Sequence, residues 1–128
     1  LQPQALLSLM ESLSHTAGTA GIGKILYTGY TQQEISQEPA FLEITSFFDV
    51  IIYGPYIEAL NDSRGLRGSC NQEVVFQTPR YLFFRDFFLK CNRRVEVEIH
   101  SNFTRVVGVP PAGLNLDFPV RSHDGKHF

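Results

Sequence analysis

Cysteine is scarce in this sequence. Only Cys70 and Cys91 occur in 128 residues, which is too few for a disulfide framework. They lie far apart in the chain with no histidine at ligand spacing, so they do not form a recognisable zinc pattern. Sparse cysteine is typical of a reducing compartment, and we expect a cytoplasmic protein.

Charge and long apolar runs are also limited. Charged residues make up 19% of the chain, below the usual quarter or so, and the formal net charge is −2. There is no basic excess that would suit a nucleic acid and no polybasic run that would suit a membrane surface. No apolar run approaches the roughly 18 residues that span a bilayer. We therefore expect neither nucleic acid nor a membrane as a partner.

The common catalytic patterns are missing as well. The four histidines are scattered, and there is no glycine fingerprint for a dinucleotide and no phosphate loop. Glu96 and Glu98 form a carboxylate pair on one strand face, but alternating glutamates are typical of a solvated strand edge. None of these residues by itself indicates a reaction.

Hydrophobic residues make up 43% of the chain, with eleven phenylalanines, which is enough for the core of one compact domain. An apolar stripe predicts a helix over residues 2–13, and a short strand is predicted over residues 24–28. Thr31 and Glu34 form a capping box that opens another helix. This order of elements is typical of a parallel α/β sheet.

The second half continues this pattern. Residues 39–48 are predicted to be helical, and the continuous apolar run over residues 50–53 predicts a strand buried on both faces. A polar loop over residues 61–71 precedes a returning strand at 73–76. Thr78 and the following proline then start a helix that carries phenylalanines on one side.

The pattern changes after Cys91. Val95, Val97 and Ile99 alternate with glutamates, which predicts a half-exposed strand, and residues 104–107 are expected to pair back with it as a hairpin. We place the domain at residues 1–109. Residues 110–128 carry prolines, glycines and scattered charge and are predicted to form a flexible tail.

Three short motifs are candidate binding elements. Thr28 and Tyr30 follow the first predicted strand, and Tyr53 ends the second, so both groups are expected at the carboxyl-end rim of a parallel sheet, where α/β domains bind ligands. A hydroxyl and exposed amides there suit a ribose or a carboxylate. Tyr53 suits either stacking on a base or closing the core.

The third motif is the polar segment from Leu66 to Gln72. Arg67, Asn71 and Gln72 offer several fixed donors, as a site for an anionic or adenine-bearing ligand needs. Taken singly, each motif is also explained without a ligand, as a capped turn, as core packing or as a solvated loop.

In order and spacing, the segments 25–31, 48–56 and 66–72 resemble one family: the radical S-adenosylmethionine activating proteins of glycyl-radical enzymes, especially the anaerobic ribonucleotide reductase activating type. The resemblance covers roughly residues 1–76. It implies an α/β fold that is the C-terminal part of a partial parallel (β/α) radical-SAM barrel, here followed by a C-terminal β-hairpin.

The resemblance also implies cofactors and a partner. Such proteins hold a [4Fe–4S] cluster on a Cys-x3-Cys-x2-Cys loop, with one iron left open for S-adenosylmethionine, and they generate a radical on a glycine of a glycyl-radical enzyme. By position, Thr28 and Tyr30 are expected near the methionyl or ribose part of the cofactor and Asn71 and Gln72 near the adenosyl part, with Arg67 in the same loop. Tyr53 stands where relatives often have an acidic residue. Cys70 stands where serine is usual, and we do not expect it to ligate a cluster.

The three-cysteine loop and the glycine-rich segment that binds the methionyl amine are not found in the 128 residues. We therefore expect a truncated family member that is inactive alone, holds no cluster, and associates with itself through an exposed strand edge at residues 24–28. One alternative is a degenerate, non-catalytic module that binds an adenosyl group or a protein. A second is an unrelated small α/β nucleotide-binding domain, although the missing glycine fingerprint argues against it.

Overall fold

A computed structural model describes residues 2–16, 18, 21–108, 112 and 113 of the chain. In chain order the helices and strands are α1 (Pro3–His15), β1 (Ile25–Tyr27), α2 (Gln32–Ser36), α3 (Pro39–Thr45), β2 (Val50–Tyr53), β3 (Glu73–Phe76), α4 (Arg85–Lys90), β4 (Glu96–Ile99) and β5 (Thr104–Val107), with short 3-10 helices at Glu58–Leu60 and Pro79–Phe84. Among the described helices, none is long and apolar enough to cross a membrane. Apart from Ala112 and Gly113, the predicted tail lies outside the described residues.

Strands β1, β2 and β3 form one sheet in that order. As the sequence predicts, β1 runs parallel to β2. In this pairing Ile25 lies opposite Val50. β3 is antiparallel to β2, with Val50 opposite Phe76, so the sheet is mixed and not wholly parallel. The connection from β2 to β3 lacks the crossover helix that a parallel return requires. The described residues form a mixed α/β fold with small sheets and no closed barrel, and the barrel relationship stays a prediction.

The core forms around β2. All four of its residues are buried, with Val50, Ile51 and Ile52 at 0% exposure. Ile51 and Tyr53 point toward the helices and pack in a cluster with Met10, Ile35, Ile44 and Phe48. The capping box predicted at Thr31 and Glu34 is present and begins α2, which contributes Ile35 to this cluster.

The phenylalanine-rich segment departs from the prediction. It begins as the 3-10 helix Pro79–Phe84 and becomes α-helical only at Arg85. Because the 3-10 turn rotates successive side chains differently from an α-helix, the phenylalanines do not share one buried face. Phe88 is buried and packs edge-on against Phe76, with ring centroids 5.3 Å apart, whereas Phe84 and Phe87 are each 54% exposed.

The predicted C-terminal hairpin is confirmed. β4 and β5 pair antiparallel as a separate two-stranded sheet, with Val97 opposite Val106. Every residue of β4 is exposed. A lone hairpin of this kind gains little from burial, so its position relative to the sheet depends on how its two ends are held.

Asp49, immediately before β2, links the start of β2 to the starts of β1 and of the 3-10 helix Pro79–Phe84. Its carboxylate accepts hydrogen bonds from the Lys24 backbone N–H (2.9 Å) and the Thr78 hydroxyl (2.7 Å), and it lies 3.5 Å from the Arg80 guanidinium. Partial burial alone would raise the pKa of Asp49. The hydrogen bonds from Thr78 and Lys24 and the charge of Arg80 outweigh it and hold the pKa below its usual value.

We predict that Asp49→Asn lowers the free energy of unfolding at pH 7 by about 1–2 kcal/mol. Because the folded-state pKa is depressed, the stabilisation is present above the unfolded-state pKa and is lost as the pH falls through the folded value, below about pH 4. Urea unfolding at pH 7 and over the acid range is the measurement. We expect the free energy of unfolding to fall less steeply with decreasing pH in the variant than in the wild type.

Asp86→Asn is the matched control, because Asp86 pairs with Lys90 on the surface with its side chain 82% exposed. We expect its stability to change by less than about 0.5 kcal/mol. If the free energy of unfolding fell equally steeply with decreasing pH in the wild type and in Asp49→Asn, the role given to Asp49 would be contradicted.

Candidate functional site

The candidate site lies where β1 and β2 end. The Thr28 N–H donates to the carbonyl of Ile52 (2.9 Å), and the Gly54 N–H donates to the carbonyl of Tyr30 (2.8 Å). These bonds carry the pairing of the two strands beyond their ends and hold the two turns side by side. The first two sequence motifs therefore meet at one rim, as expected for parallel strands.

Gln72 attaches the third motif to this rim. Its side chain is buried, and its Oε1 accepts hydrogen bonds from the backbone N–H groups of Gly68 (2.7 Å) and Ser69 (3.2 Å). Its Nε2 donates to the carbonyl of Gly54 (2.8 Å). Gln72 thus positions the loop of residues 61–72, called here the site loop, against the end of β2.

Asn71 and Arg67 have different positions in the site loop. Asn71 is exposed, and its Nδ2 donates to the carbonyl of Pro55 at 2.8 Å. The Arg67 guanidinium stays within the loop, with an ion pair to Asp62 (3.1 Å) and a hydrogen bond to the carbonyl of Cys70 (3.2 Å). Arg67 therefore stabilises the loop and is not turned toward the rim.

Arg93, which is not among the predicted site residues, holds the site loop against the fold. Its side chain is only 3% exposed. The guanidinium donates hydrogen bonds to the Asn61 Oδ1 (2.6 Å) and to the carbonyl of Gly68 (3.0 Å). It also donates to three further backbone carbonyls of the loop, those of Arg64 (3.2 Å), Gly65 (3.4 Å) and Arg67. No motif marks such a residue. The only available signal was a polar loop whose buried carbonyls need donors from elsewhere in the chain.

These elements enclose a groove of about 510 Å³, called here the rim groove. It is lined by Tyr27, Thr28, Gly29, Gly54, Tyr56, Gly68, Gln72 and Gly108. Half of these residues are glycines, so much of the wall is bare backbone that a ligand can approach closely. The volume is within the range of small-molecule sites.

Two of the predicted site residues line the rim groove, and four do not. Thr28 and Gln72 line it, while Asn71 and Arg67 lie in the adjacent site loop. Tyr30 lines a neighbouring groove of about 500 Å³ on the helix side, where its ring stacks on Phe41 with centroids 5.9 Å apart. Tyr53 is buried in the core cluster, so of its two predicted roles, stacking on a base or closing the core, the structure shows the second.

Tyr27 forms the floor between β1 and the site loop. Its hydroxyl donates to the carbonyl of Leu66 at 2.7 Å. Burial raises the pKa of Tyr27 above its ordinary value, although the nearby Arg93 charge acts in the opposite direction. The hydroxyl therefore remains protonated near neutral pH and serves as a hydrogen-bond donor that fixes the loop, not as a base.

A groove at the carboxyl ends of neighbouring parallel strands, walled by turns and a donor-rich loop, is a ligand-binding arrangement of α/β domains. Residues 1–75 match the family of 4Fe-4S single cluster domains. Since the match covers more than half of the chain, the chain belongs to this family. The matched region runs from α1 into β3 and includes all three motifs. Comparison with curated proteins and with solved structures gives no match.

The family implies an iron–sulfur cluster, but the residues of this chain do not fit one. Such clusters are held by several cysteine thiolates, and the 128 residues contain two. Cys70 is exposed on the site loop, and Cys91 follows α4 and is partly buried. Over the part of the chain that the structure describes, no three histidine, cysteine or acidic side chains are grouped so that they could hold a metal ion.

We predict that Arg93→Lys destabilises the protein by about 2–4 kcal/mol, because an ammonium group cannot replace the forked donors and leaves buried carbonyls unpaired. Urea unfolding measures the loss. Trypsin should also cleave the variant faster at Arg64 and Arg67, because the site loop is no longer held against the fold.

Arg94→Lys is the matched control, since Arg94 is adjacent in sequence and exposed. We expect its stability and its cleavage pattern to remain those of the wild type. Equal destabilisation by the two substitutions would contradict a specific role for Arg93.

Proposed function

We propose that this chain supplies the wall that holds S-adenosylmethionine in a radical enzyme of the type that activates glycyl-radical enzymes. The observation that carries the proposal is the meeting of the three motifs around the rim groove, within a chain of an iron–sulfur family. The motifs are far apart in sequence, and each brings a different kind of group to the same cavity.

The groups around the rim groove suit the parts of this cofactor. The Thr28 hydroxyl, which accepts from the Tyr30 N–H at 3.1 Å, has its own hydrogen to donate to a ribose or carboxylate oxygen. Tyr56 offers an aromatic face for stacking. Asn71 is at the exposed end of the site loop, where its amide can pair with the polar edge of an adenine.

On this proposal the cluster belongs to residues outside these 128. Three thiolates are needed to leave one iron open for the cofactor, and this chain has two cysteines in separate places. The role of the chain is to bind and orient the cofactor, and the partner is a glycyl-radical enzyme such as an anaerobic ribonucleotide reductase.

A second candidate function is a module that binds an adenosyl group or a protein without redox chemistry. The observation that favours it is that Cys70, although it lies in the site loop, is exposed and has no second cysteine beside it among the described residues. In this case the rim groove is kept while the cluster chemistry is lost.

Titration calorimetry with S-adenosylhomocysteine tests the proposed binding. We predict measurable heat with the wild type and an affinity about five- to tenfold lower for Asn71→Ala, since one hydrogen bond to the ligand is removed. Gln33→Ala on the exposed face of α2 is the control and should bind like the wild type.

Absence of binding heat with the wild type would contradict both candidate functions that involve an adenosyl group. Anaerobic reconstitution with iron and sulfide adds a second check. A stable [4Fe–4S] cluster on these 128 residues would contradict the proposal that the cluster ligands lie elsewhere.

We also propose that the chain associates with itself through the outer edge of β1. No described strand pairs with this edge, and Ile25 in this strand is 38% exposed. An unpaired strand edge with apolar side chains is a template for pairing with a second copy. We predict concentration-dependent association of the wild type in sedimentation velocity and a shift to monomer for Ile25→Lys.

Ile57→Lys is the matched control, because Ile57 is 40% exposed but lies outside the sheet. We expect it to associate like the wild type. A wild-type protein that sediments as a monomer at all concentrations would rule out association through β1.

A further inference from the structure

A second groove, called here the α4 groove, lies between the end of α4 and the site loop and has a volume of about 660 Å³. Its volume is within the range of small-molecule sites. The residues that give it its character are Gly65, Leu66, Phe87, Cys91, Arg93 and Arg94. The last four of these lie beyond the matched residues 1–75, so the α4 groove is not part of the region that shows the family.

The two walls of the α4 groove are joined directly to each other. The Gly65 N–H donates to the carbonyl of Cys91 (2.8 Å), and the Leu66 N–H donates to the carbonyl of Phe88 (2.8 Å). Gly65 has φ +65°, and a Cβ there would collide with the Phe88 carbonyl oxygen. Only glycine permits the site loop to approach the end of α4 so closely. The groove is therefore held open by the fold itself.

Part of the α4 groove is apolar. Phe87 lines it and is 54% exposed, although a phenylalanine ring gains from being covered. Leu66 and Tyr27 line it as well. A flat hydrocarbon or aromatic ring that enters the groove would remove this surface from water and can pack edge-on or offset against the Phe87 ring.

The charge in the α4 groove has one sign. Both charged residues that line it are arginines, Arg93 and Arg94, although the whole chain has a formal net charge of −2. Arg93 is committed to the site loop, whereas Arg94 is exposed and has no ion pair within the part of the chain that the structure describes. A guanidinium beside apolar surface is suited to a carboxylate, which it binds through two parallel hydrogen bonds.

We infer that the α4 groove binds a small organic anion, a carboxylate carried on a flat apolar body, with the carboxylate at Arg94 and the apolar body against Phe87 and Leu66. S-adenosylmethionine is not such a ligand, because its sulfonium and ammonium groups would bring positive charge to a groove that already has two arginines. The site is separate from the one in the proposed function, and either can fail without the other.

The first test uses the two cysteines of the wild-type protein. Cys91 lines the α4 groove and is partly buried, whereas Cys70 is exposed on the site loop and serves as the internal reference. Alkylation by N-ethylmaleimide is followed at each cysteine by peptide mass spectrometry. We expect 2-naphthoate, at about ten times its dissociation constant, to slow alkylation of Cys91 about tenfold and to leave Cys70 unchanged. At the same concentration, neutral 2-naphthamide and acetate should have little effect.

The second test is Arg94→Gln, with the affinity for 2-naphthoate measured by calorimetry. We expect binding to be about tenfold weaker, because the charge-assisted hydrogen bonds to the carboxylate are lost. Arg85→Gln is the matched control, since Arg85 is exposed on α4 but does not line the groove, and its removal changes the net charge equally. It should bind like the wild type, and thermal melting of both variants checks that they are folded.

Several outcomes would overturn the inference. Equal protection of Cys91 by 2-naphthamide would show that the charge has no role, and equal protection by acetate would show that the apolar wall has none. Binding heat without protection of Cys91 would place the ligand elsewhere, and equal weakening by both arginine substitutions would exclude a local role for Arg94. If Cys91 is not alkylated in the free protein, the groove is closed and the inference fails. If Arg94→Gln does not fold, the wild-type alkylation with the three compounds decides alone.

Discussion

The candidate site depends on one buried guanidinium. The site loop is mostly polar and contains no regular strand or helix, so it cannot be held by the burial of apolar side chains alone. Its inward carbonyls require donors, and the forked N–H groups of Arg93 supply several from a single side chain. Gln72 completes the attachment on the opposite side of the loop by linking Gly68 to Gly54. Arg93 lies three residues before the start of β4, so the same interaction also holds the chain where it enters the hairpin.

Much of the fold could be predicted because its signals are local. The apolar run of β2, the capping box of α2 and the alternating pattern of β4 each determine a structure within a few residues. The antiparallel return of β3 and the 3-10 start of the phenylalanine segment were missed, because strand direction and helix type there are set by tertiary packing. The turns at Thr28 and Gly54 were correctly predicted to lie side by side, because the ends of two parallel strands lie at the same edge of the sheet.

The site itself was predictable only in part. The sequence indicates which segments meet, but not which side chains face the cavity. Gln72 lines the groove, but its side-chain amide mainly holds the loop through hydrogen bonds. Tyr53 packs in the core cluster. Arg93 lies beyond the segment that carries the family resemblance, and its role depends on contacts with residues far away in sequence. The family membership implies an iron–sulfur cluster, whereas the chain has two cysteines in separate places, so the proposed role in binding and orienting a cofactor is a matter for the titration proposed above.

The measurement that tests this account most directly is a two-dimensional amide NMR titration of the 128-residue protein with S-adenosylhomocysteine. We predict shifts concentrated in residues 28–30 and 66–72 and at Gly54, Tyr56 and Gly108, with the amides of α1 and α3 nearly unchanged. Shifts confined to other surfaces, or a spectrum that does not respond to the ligand, would contradict the claim that the rim groove is a site for S-adenosylmethionine.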